Sequence, residues 1–348
     1  MQARPVGRTT LSGPSLRDIA ARAGVSAASV SRVINDRPGV SDDTRLKVAE
    51  AMRELGWQPD QGYDPHQGAL IGIVVPELDN PVFPLLASAI EVQLAKHGLT
   101  AVVGTSTRQG TAELGYIDVL LRKGVSGLVL VSGRHANPHA DHGFYRLLHE
   151  RGIPMVLVSG RVEGLAVPTV ATDEALGARI AVAHLRELGH RRIGLAGGQG
   201  YLRPSINRLD GYRRAMRELL GEEAPADWYA ESSYSIAGGA AAARQLFDAG
   251  VTAIVAGSDL MALGVAQAAR EAGRSVPGDL SVVGYDDCYL AAHSNPPLTT
   301  VRQPIQEMAA AVAEALWRQL EGHGGQVRDY LFSPELVARE STGRLRHG

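Results

Sequence analysis

Residues 15–57 read SLRDIAARAGVSAASVSRVINDRPGVSDDTRLKVAEAMRELGW. Ser15 and Asp18 stand at the spacing of a capping box, in which each side chain satisfies a backbone N–H left over at a helix start. Leu16, Ile19, Ala20 and Ala23 then recur at helical spacing and form one apolar stripe. Gly24 ends that helix, because glycine enters a left-handed turn without a steric cost. Ser26 caps a second helix with Val30, Val33 and Ile34 facing inward, and the run breaks over 35–39. A third helix is predicted from about Thr44 to Leu55, with Ser41, Asp42 and Asp43 at its positive end and Leu46, Val48, Ala49, Met52 and Leu55 as its apolar positions. Three short helices, the first two joined by a tight glycine turn, describe a helix-turn-helix domain.

The outward face of the second helix carries Ala27, Ala28, Ser29, Ser31, Arg32 and Asn35, small and polar residues around one forked cation. Small side chains let a helix approach base edges, hydroxyls reach phosphates, and an arginine pairs with guanine through two hydrogen bonds. The whole chain of 348 residues has a net charge of -2, which on its own disfavours a nucleic-acid partner. Residues 1–40, however, hold six arginines against two acids, a local balance of +4, and the remainder sums to -6. A basic head on an acidic body implies an electrostatic partner for the head alone.

The single cysteine, Cys288, closes no intramolecular disulfide and supplies no thiolate metal cluster, which points to a reducing cytoplasm. The first fifteen residues lack the apolar core of a signal peptide, and no apolar stretch approaches the roughly 20 residues that span a bilayer. A soluble cytoplasmic protein with no membrane partner is expected.

From Leu70 onward, short Val/Ile/Leu runs alternate with helical segments. One series places strands at 70–75, 100–104, 127–131 and 154–158; a second places them at 169–171, 192–196, near Trp228, at 253–255 and at 280–284. Near-continuous apolar strands separated by helices mean parallel sheets covered on both faces, here two doubly wound lobes, with any ligand in the crevice at the strand carboxyl ends. Between head and body, QPDQGYDPHQG at 58–68 has the proline and glycine content of a linker.

The segment 15–57 resembles the DNA-binding head of the lactose/galactose repressor (LacI/GalR) family. The resemblance continues through IGIVVPELDNPVF at 71–83, HLRELGHRRIGLAGG at 184–198, RLDGYRRAM at 208–216, SDLMALG at 258–264, VPGDLSVVGYDD at 276–287 and PPLTTVRQP at 296–304, in the family's order. It implies an α/β chain with a three-helix head at 1–57, a hinge or linker at 58–69 and a sensor at 70–343. The sensor is expected to be periplasmic-binding-protein-like of type I, with an N-lobe from 70–160 and 292–323 and a C-lobe from 161–291 and 324–343. The implied activity is that of a transcription regulator, expected to be a repressor: a homodimer on a palindromic double-stranded operator, nucleoid-associated, whose DNA affinity follows a small-molecule effector, expected to be a carbohydrate, between the lobes. No catalytic residue, cofactor or metal site is implied.

Carried over by position, Arg32 matches the family's base-reading arginine, Ala27 and Ala28 the pair that selects the operator, and Ser29 and Ser31 the phosphate- or base-contacting positions. Asn35, Ser41 and Arg45 match positions that hold the DNA backbone, and the resemblance extends the set to Ser15 and Ser26. In the cleft it implies Asn80, Phe83, Asp173, Arg208, Tyr234, Ser258 and Asp286. Arg208 matches an arginine that clamps ligand hydroxyls or a carboxylate, and Asp286 an aspartate that accepts from ligand hydroxyls. The set suits a sugar, which offers adjacent O–H groups to forked donors and carboxylates and an apolar ring face to an aromatic. An interlobe salt bridge between Arg208 and Asp286 is the competing structural reading.

The chain departs from the family in two places. The usual hinge, Pro-Asn-x-x-Ala-Arg-x-Leu, folds on the operator and wedges its leucine into the minor groove; here Pro59 is followed by Asp60, no Ala-Arg-x-Leu precedes the first strand, and Gly62, Pro65 and Gly68 oppose a helix. Weak or absent wedging is expected. After LVARESTGR no leucine heptad follows, which favours a dimer over a tetramer.

Rival classes fare less well. GGQG at 197–200 lacks both the full Gly-x-Gly-x-x-Gly spacing and the Walker lysine, and neither a Gly-x-Ser-x-Gly elbow nor a His-Glu-x-x-His helix occurs. His135, His139, Asp141 and His142 in HANPHADH read as solvated loop residues rather than as metal ligands. A two-lobed solute-binding or sugar-modifying protein without operator function is the alternative, and the helix-turn-helix head argues against it.

Overall fold

The computed structural model describes residues 15–34, 39–55, 68–106, 111–322 and 328–345. They belong to two separate units, divided between Gln67 and Gly68.

The first unit holds α1 (Leu16–Ala23), α2 (Ala27–Ile34) and α3 (Asp42–Glu54). The capping box forms: Ser15 Oγ accepts from the Asp18 backbone N–H, and the Asp18 carboxylate accepts from Ser15 N at 2.8 Å. Gly24 closes α1 with φ 65°, its N–H reaching the Ala20 carbonyl. Ser26 Oγ accepts from Ser29 N at 3.1 Å and Ser41 Oγ from Thr44 N at 3.3 Å, so each helix starts on a serine cap. Ile19, Ala20, Val30, Val48 and Ala51 make the small core. Of the apolar positions expected on the third helix, which starts at Asp42, Val48 is buried and Met52 and Leu55 half-buried, while Leu46 (71% exposed) and Ala49 face outward and Ala51 is buried alongside Val48.

The second unit carries, in order, β1 (Leu70–Val75), α4 (Val82–Ala95), β2 (Thr100–Thr105), α5 (Thr111–Arg122), β3 (Gly127–Val131), α6 (Gly143–Glu150), β4 (Met155–Val158), β5 (Thr169–Thr172), α7 (Glu174–Glu187), β6 (Ile193–Gly197), α8 (Arg203–Ala215), β7 (Tyr229–Glu231), α9 (Ile236–Asp248), β8 (Ala253–Ala256), α10 (Asp259–Glu271), β9 (Ser281–Asp286), α11 (Tyr289–His293), β10 (Thr299–Arg302), α12 (Ile305–Leu320), β11 (Asp329–Phe332) and β12 (Glu335–Val337). The strands form two sheets, β11-β5-β4-β3-β1-β2 and β12-β10-β9-β8-β6-β7, parallel except for the antiparallel β10–β12 pair. Strands such as β3 (GLVLV) and β8 (AIVA) are buried along their whole length, as the continuous apolar runs require.

Sheet membership corrects the expected lobe boundaries. Placed in the C-lobe by the boundary at 161, β5 pairs in parallel with β4, so it belongs to the N-lobe. Similarly, β10 falls within the span assigned to the N-lobe yet pairs with β9, and β11, assigned to the C-lobe, pairs with β5. β5 and β10 each stay in the sheet of the strand just before them, and β11 returns to β5 from about 160 residues further along, so a boundary drawn along the chain by lobe misplaces all three. The chain therefore crosses between the lobes three times, at 172–174, 302–305 and 332–335.

After β12 the chain is sewn to the C-lobe. Ser341 Oγ accepts from Thr299 N at 2.8 Å and donates to the Val282 carbonyl at 2.6 Å, and His190 Nε2 meets the Gly343 carbonyl at 3.0 Å.

Candidate functional site

In the head unit the residues expected to meet DNA divide by exposure. Ala27, Ala28 and Arg32 are exposed on α2, and Ser29, Ser31 and Arg45 are half-buried. Ser15, Ser26 and Ser41 are exposed, with their hydroxyls engaged at helix starts; Ser26 Oγ also lies 2.9 Å from Ser29 Oγ. Arg22 is committed to Glu54 of α3 in an ion pair, so its charge is partly offset within the domain. Asn35 and the linker up to Gln67, where the hinge expectation falls, lie outside the described residues.

In the body, a cavity of about 460 Å³ opens where strands of both sheets end. Pro76, Ser106, Ser132 and Ser159 reach it from the N-lobe strands, and Gln199, Gly257, Ser258 and Asp286 from the C-lobe strands. This is the crevice that doubly wound sheets leave at their carboxyl ends. Of the residues expected there, Asn80, Phe83, Arg208, Tyr234, Ser258 and Asp286 line it. Asn80 Oδ1 accepts from Val82 N at 3.3 Å and opens α4, Ser258 caps α10 through Met261 N at 3.2 Å, and Tyr234 shares a 2.7 Å hydrogen bond with Ser205.

Asp173 is a correction. Its side chain caps α7 by accepting from Leu176 N at 2.9 Å and it does not line the cavity; the neighbouring Glu174, at the first helical position, does. Glu174 in turn corrects the predicted partnership of Arg208. The guanidinium donates from Nη2 to Glu174 Oε2 at 2.5 Å and from Nη1 to the Gly257 carbonyl at 2.5 Å, and Cζ sits 3.7 Å over the Tyr285 ring. The pair lies within the C-lobe, on the cavity wall; Asp286 stands on the same lobe at the end of β9, so the competing reading of an Arg208–Asp286 bridge between lobes does not hold. Burial works against the guanidinium's charge, and Glu174, Tyr234, Tyr285 and Asp286 outweigh it, so Arg208 stays firmly protonated.

Asp286 instead accepts from Gln303 Nε2 at 2.7 Å. Burial, followed by the nearby Asp259 carboxylate, raises its pKa well above that of an ordinary aspartate. Asp259 is pushed up to about 6, chiefly by burial, against hydrogen bonds from Thr300 Oγ1 at 2.6 Å and Cys288 N at 2.7 Å.

Among the described residues, four non-glycine residues have positive φ: Ser132 (46°), Ser159 (61°), Asp286 (110°) and Asp287 (57°). They stand at the carboxyl ends of β3, β4 and β9, and the first three line the cavity. Backbone held in such regions is retained where surrounding structure over-determines it, typically around ligands. Ser132, Ser159, Glu174, Arg134 and Gln303 were not legible as cleft residues; serine in a left-handed turn carries no compositional mark.

The histidine cluster is also corrected. His135 and His142 are buried, not solvated: His135 Nε2 meets the Val158 carbonyl at 3.0 Å and His142 Nε2 the Asn137 carbonyl at 3.0 Å, leaving His139 exposed. No group of three or more His, Cys, Asp or Glu side chains among the described residues is arranged to hold a metal. In GGQG, Gly200 N–H is taken by Glu231 Oε1 at 2.9 Å, an acid where a phosphate loop needs an open donor. No described helix is long and apolar enough to cross a membrane.

The comparisons with known proteins agree with this geometry. Residues 15–60 match the model of bacterial regulatory proteins of the lacI family, and residues 182–342 match a periplasmic binding protein-like domain. The chain is 41% identical to the HTH-type transcriptional regulator MalR of Streptomyces coelicolor over 94% of this chain and 96% of that protein. Among solved structures it is similar to the transcriptional regulator CelR in complex with cellobiose, with a TM-score of 0.71, 33% identity and coverage of 94% of this chain and 99% of that one. It is likewise similar to the lac repressor dimer bound to operator and the anti-inducer ONPF, with a TM-score of 0.69, 28% identity and coverage of 95% and 100%. A helix-turn-helix head and a two-lobed binding body, each matched in place, make this chain a transcriptional regulator of the LacI family rather than an enzyme.

Proposed function

We propose that the protein acts in the cytoplasm as a dimeric repressor that binds a palindromic operator through α2 and releases or tightens its hold when a saccharide enters the cleft. The observation that carries this reading is the lining of the cleft. Hydroxyls of Ser132, Ser159 and Ser258, amides of Asn80, Gln199 and Gln303, and the carboxyl of Asp286 surround a space that also presents Phe83 and Tyr234. Hydroxyl-rich ligands with an apolar ring face satisfy such a wall. The cellobiose complex of a relative supports the ligand class, and the operator-bound dimer of another supports the assembly. In the head, Ala27, Ala28 and Arg32 present a low, forked-donor face suited to the major groove, with Ser29, Ser31, Ser41 and Arg45 near it for the phosphates. Exposed apolar residues on the N-lobe, Val92 of α4, Val103 of the edge strand β2 and Val119 of α5, favour pairing with a second copy.

The test is a fluorescence-anisotropy titration of full-length protein against duplexes selected from a random pool, repeated with cellobiose, maltose and glucose. A selected palindrome should bind at least ~10³-fold more tightly than scrambled duplex, and at least one saccharide should shift that affinity. Equal competition by scrambled DNA would overturn the operator reading, and no shift with any saccharide would overturn the ligand class.

A further inference from the structure

The three lobe connections are tied to one another. The Asp173 N–H on the first donates to the Phe332 carbonyl on the third at 2.8 Å. Thr172 Oγ1 on the first donates to Gln303 Oε1 on the second at 2.7 Å. Arg302 Nη1 on the second donates to Glu335 Oε1 on the third at 2.8 Å. Each connection thus holds both others, and the three form a closed belt between the lobes. Bending any one connection strains a hydrogen bond to another, most firmly through Asp173 with Phe332 and Thr172 with Gln303, since the Arg302–Glu335 pair is exposed.

The belt is also fastened to the cleft. Gln303 has its Oε1 occupied by Thr172, which fixes the amide so that Nε2 faces Asp286 Oδ1 at 2.7 Å. One residue further on, Asp287 accepts from Arg302 Nε at 2.7 Å and from Arg339 Nη2 at 2.6 Å. Asp286 and Asp287 are both held at positive φ, so the turn carrying them is costly to form and is kept in place by these contacts. Asp286 lines the cavity, and Asp287 faces the belt.

We propose that Gln303 is a positioning residue that hooks the cleft-facing carboxyl of Asp286 to the belt, so that a ligand hydroxyl bound at Asp286 acts on all three lobe connections at once. The proposal rests on the reading of the cleft as the effector site. It assigns to Gln303 a role beyond its place on the cavity wall: it determines where the Asp286 carboxyl stands and passes its occupancy to Thr172, on the opposite lobe.

Hydrogen exchange on the free full-length protein, followed by mass spectrometry of peptides covering 172–176, 302–306 and 332–336, tests the belt. Asp286→Ala should speed exchange in all three peptides by about tenfold, the loss of one half-buried hydrogen bond, and Gln303→Leu by at least as much, since it also removes the bond from Thr172. Asp286→Asn should leave them protected, because its amide oxygen still accepts from Gln303. The double variant Gln303→Leu/Asp286→Ala should exchange no faster than Gln303→Leu alone, since the bond lost at Asp286 is already lost in that variant. Acceleration confined to 302–306, or effects that multiply in the double variant, would overturn the belt, and the Asn variant keeps the test valid if the Ala variant loosens the whole lobe. Coupling is then read in the operator titration with cellobiose and maltose. Read at saturating saccharide, where any change in saccharide binding to the cavity wall no longer enters, Gln303→Leu should shrink the saccharide-induced change in operator affinity by about tenfold; an undiminished change at saturation would overturn the coupling. Saccharides that are silent on the wild-type protein would sink the effector reading instead, and the exchange experiment, which contains no ligand, would be untouched.

Discussion

Arg208 and Glu174 are joined by a buried ion pair, Nη2 to Oε2 at 2.5 Å, with the two side chains 5% and 8% exposed. The pair is held on three sides, by the Gly257 carbonyl, the Tyr285 ring and the start of α7. It presents the cavity with a guanidinium whose two terminal nitrogens are already engaged. A ligand meeting Arg208 therefore meets a pre-ordered wall and not a free cation.

Removing either partner strands the other charge in a poorly solvated place. Glu174→Ala and Arg208→Ala should each lower unfolding free energy by about 3–5 kcal/mol. The double variant should lose clearly less than the two added together. Urea unfolding of the full chain measures this, and strict additivity would show that the two side chains do not act as a pair.

Arg32 is the long donor on the exposed face of α2. Arg32→Ala should cost on the order of 1–3 kcal/mol at the selected operator and little on scrambled duplex. Anisotropy titrations at matched salt give both numbers. A variant that keeps its full preference for the operator would remove Arg32 from base reading.

Gly198 follows β6 at the cleft. A Cβ built there would lie 2.0 Å from Cζ of Tyr234, so Gly198→Ala must push the Tyr234 ring out of its seat beside Ser205. The saccharide concentration needed to shift operator affinity should rise on the order of tenfold or more, with operator binding in the absence of saccharide as the internal reference. An unchanged midpoint would mean that the ring is not a contact for the ligand.

His190 and His184 clasp the C-terminal segment. His190 meets Thr252 Oγ1 through Nδ1 and the Gly343 carbonyl through Nε2, both at 3.0 Å, and His184 Nε2 meets Thr342 Oγ1 at 2.9 Å. Burial holds both imidazoles below the usual histidine pKa of 6.5, so the fold prefers them neutral. A depressed pKa gives stability that is fully present above pH 6.5 and is lost as the pH falls through the folded value. Protection factors over 339–345, which are exchange rates corrected for the intrinsic pH dependence of amide exchange, should therefore fall as pH is lowered from 7.5 towards 5. His190→Gln keeps a donor for Gly343 and does not titrate; it should flatten most of that dependence, and an equally steep profile would place the titration elsewhere.

The head was legible because its determinants are local. Ser15 with Asp18, Gly24, and the stripe through Ile19 and Val30 act within a few residues of one another, and each formed as read. The two lobes were legible as kinds of sheet but not in their membership: β5 and β10 close the sheet of the strand just before them before the chain crosses over, and β11 returns to β5 from about 160 residues away. In the cleft, the choice between Asp173 and Glu174 turns on the residue at which α7 begins. The capping carboxylate folds back on its own helix and the next one points to Arg208, a difference of one position that composition does not mark. Ser132 and Ser159 went unseen for a related reason: their importance lies in backbone angles.

The threefold crossing has a consequence for synthesis. As the chain leaves the ribosome, β1 to β4 are available early, but the N-lobe waits for α12, which packs on its core, and for β11, the edge strand beside β5. The C-lobe waits for β12 and for Ser341. Domains that are contiguous in sequence finish folding in order of translation; these two are interleaved, and neither is complete before β11 and β12 have been added. Growing chains can form the helix-turn-helix head long before either lobe of the body is complete.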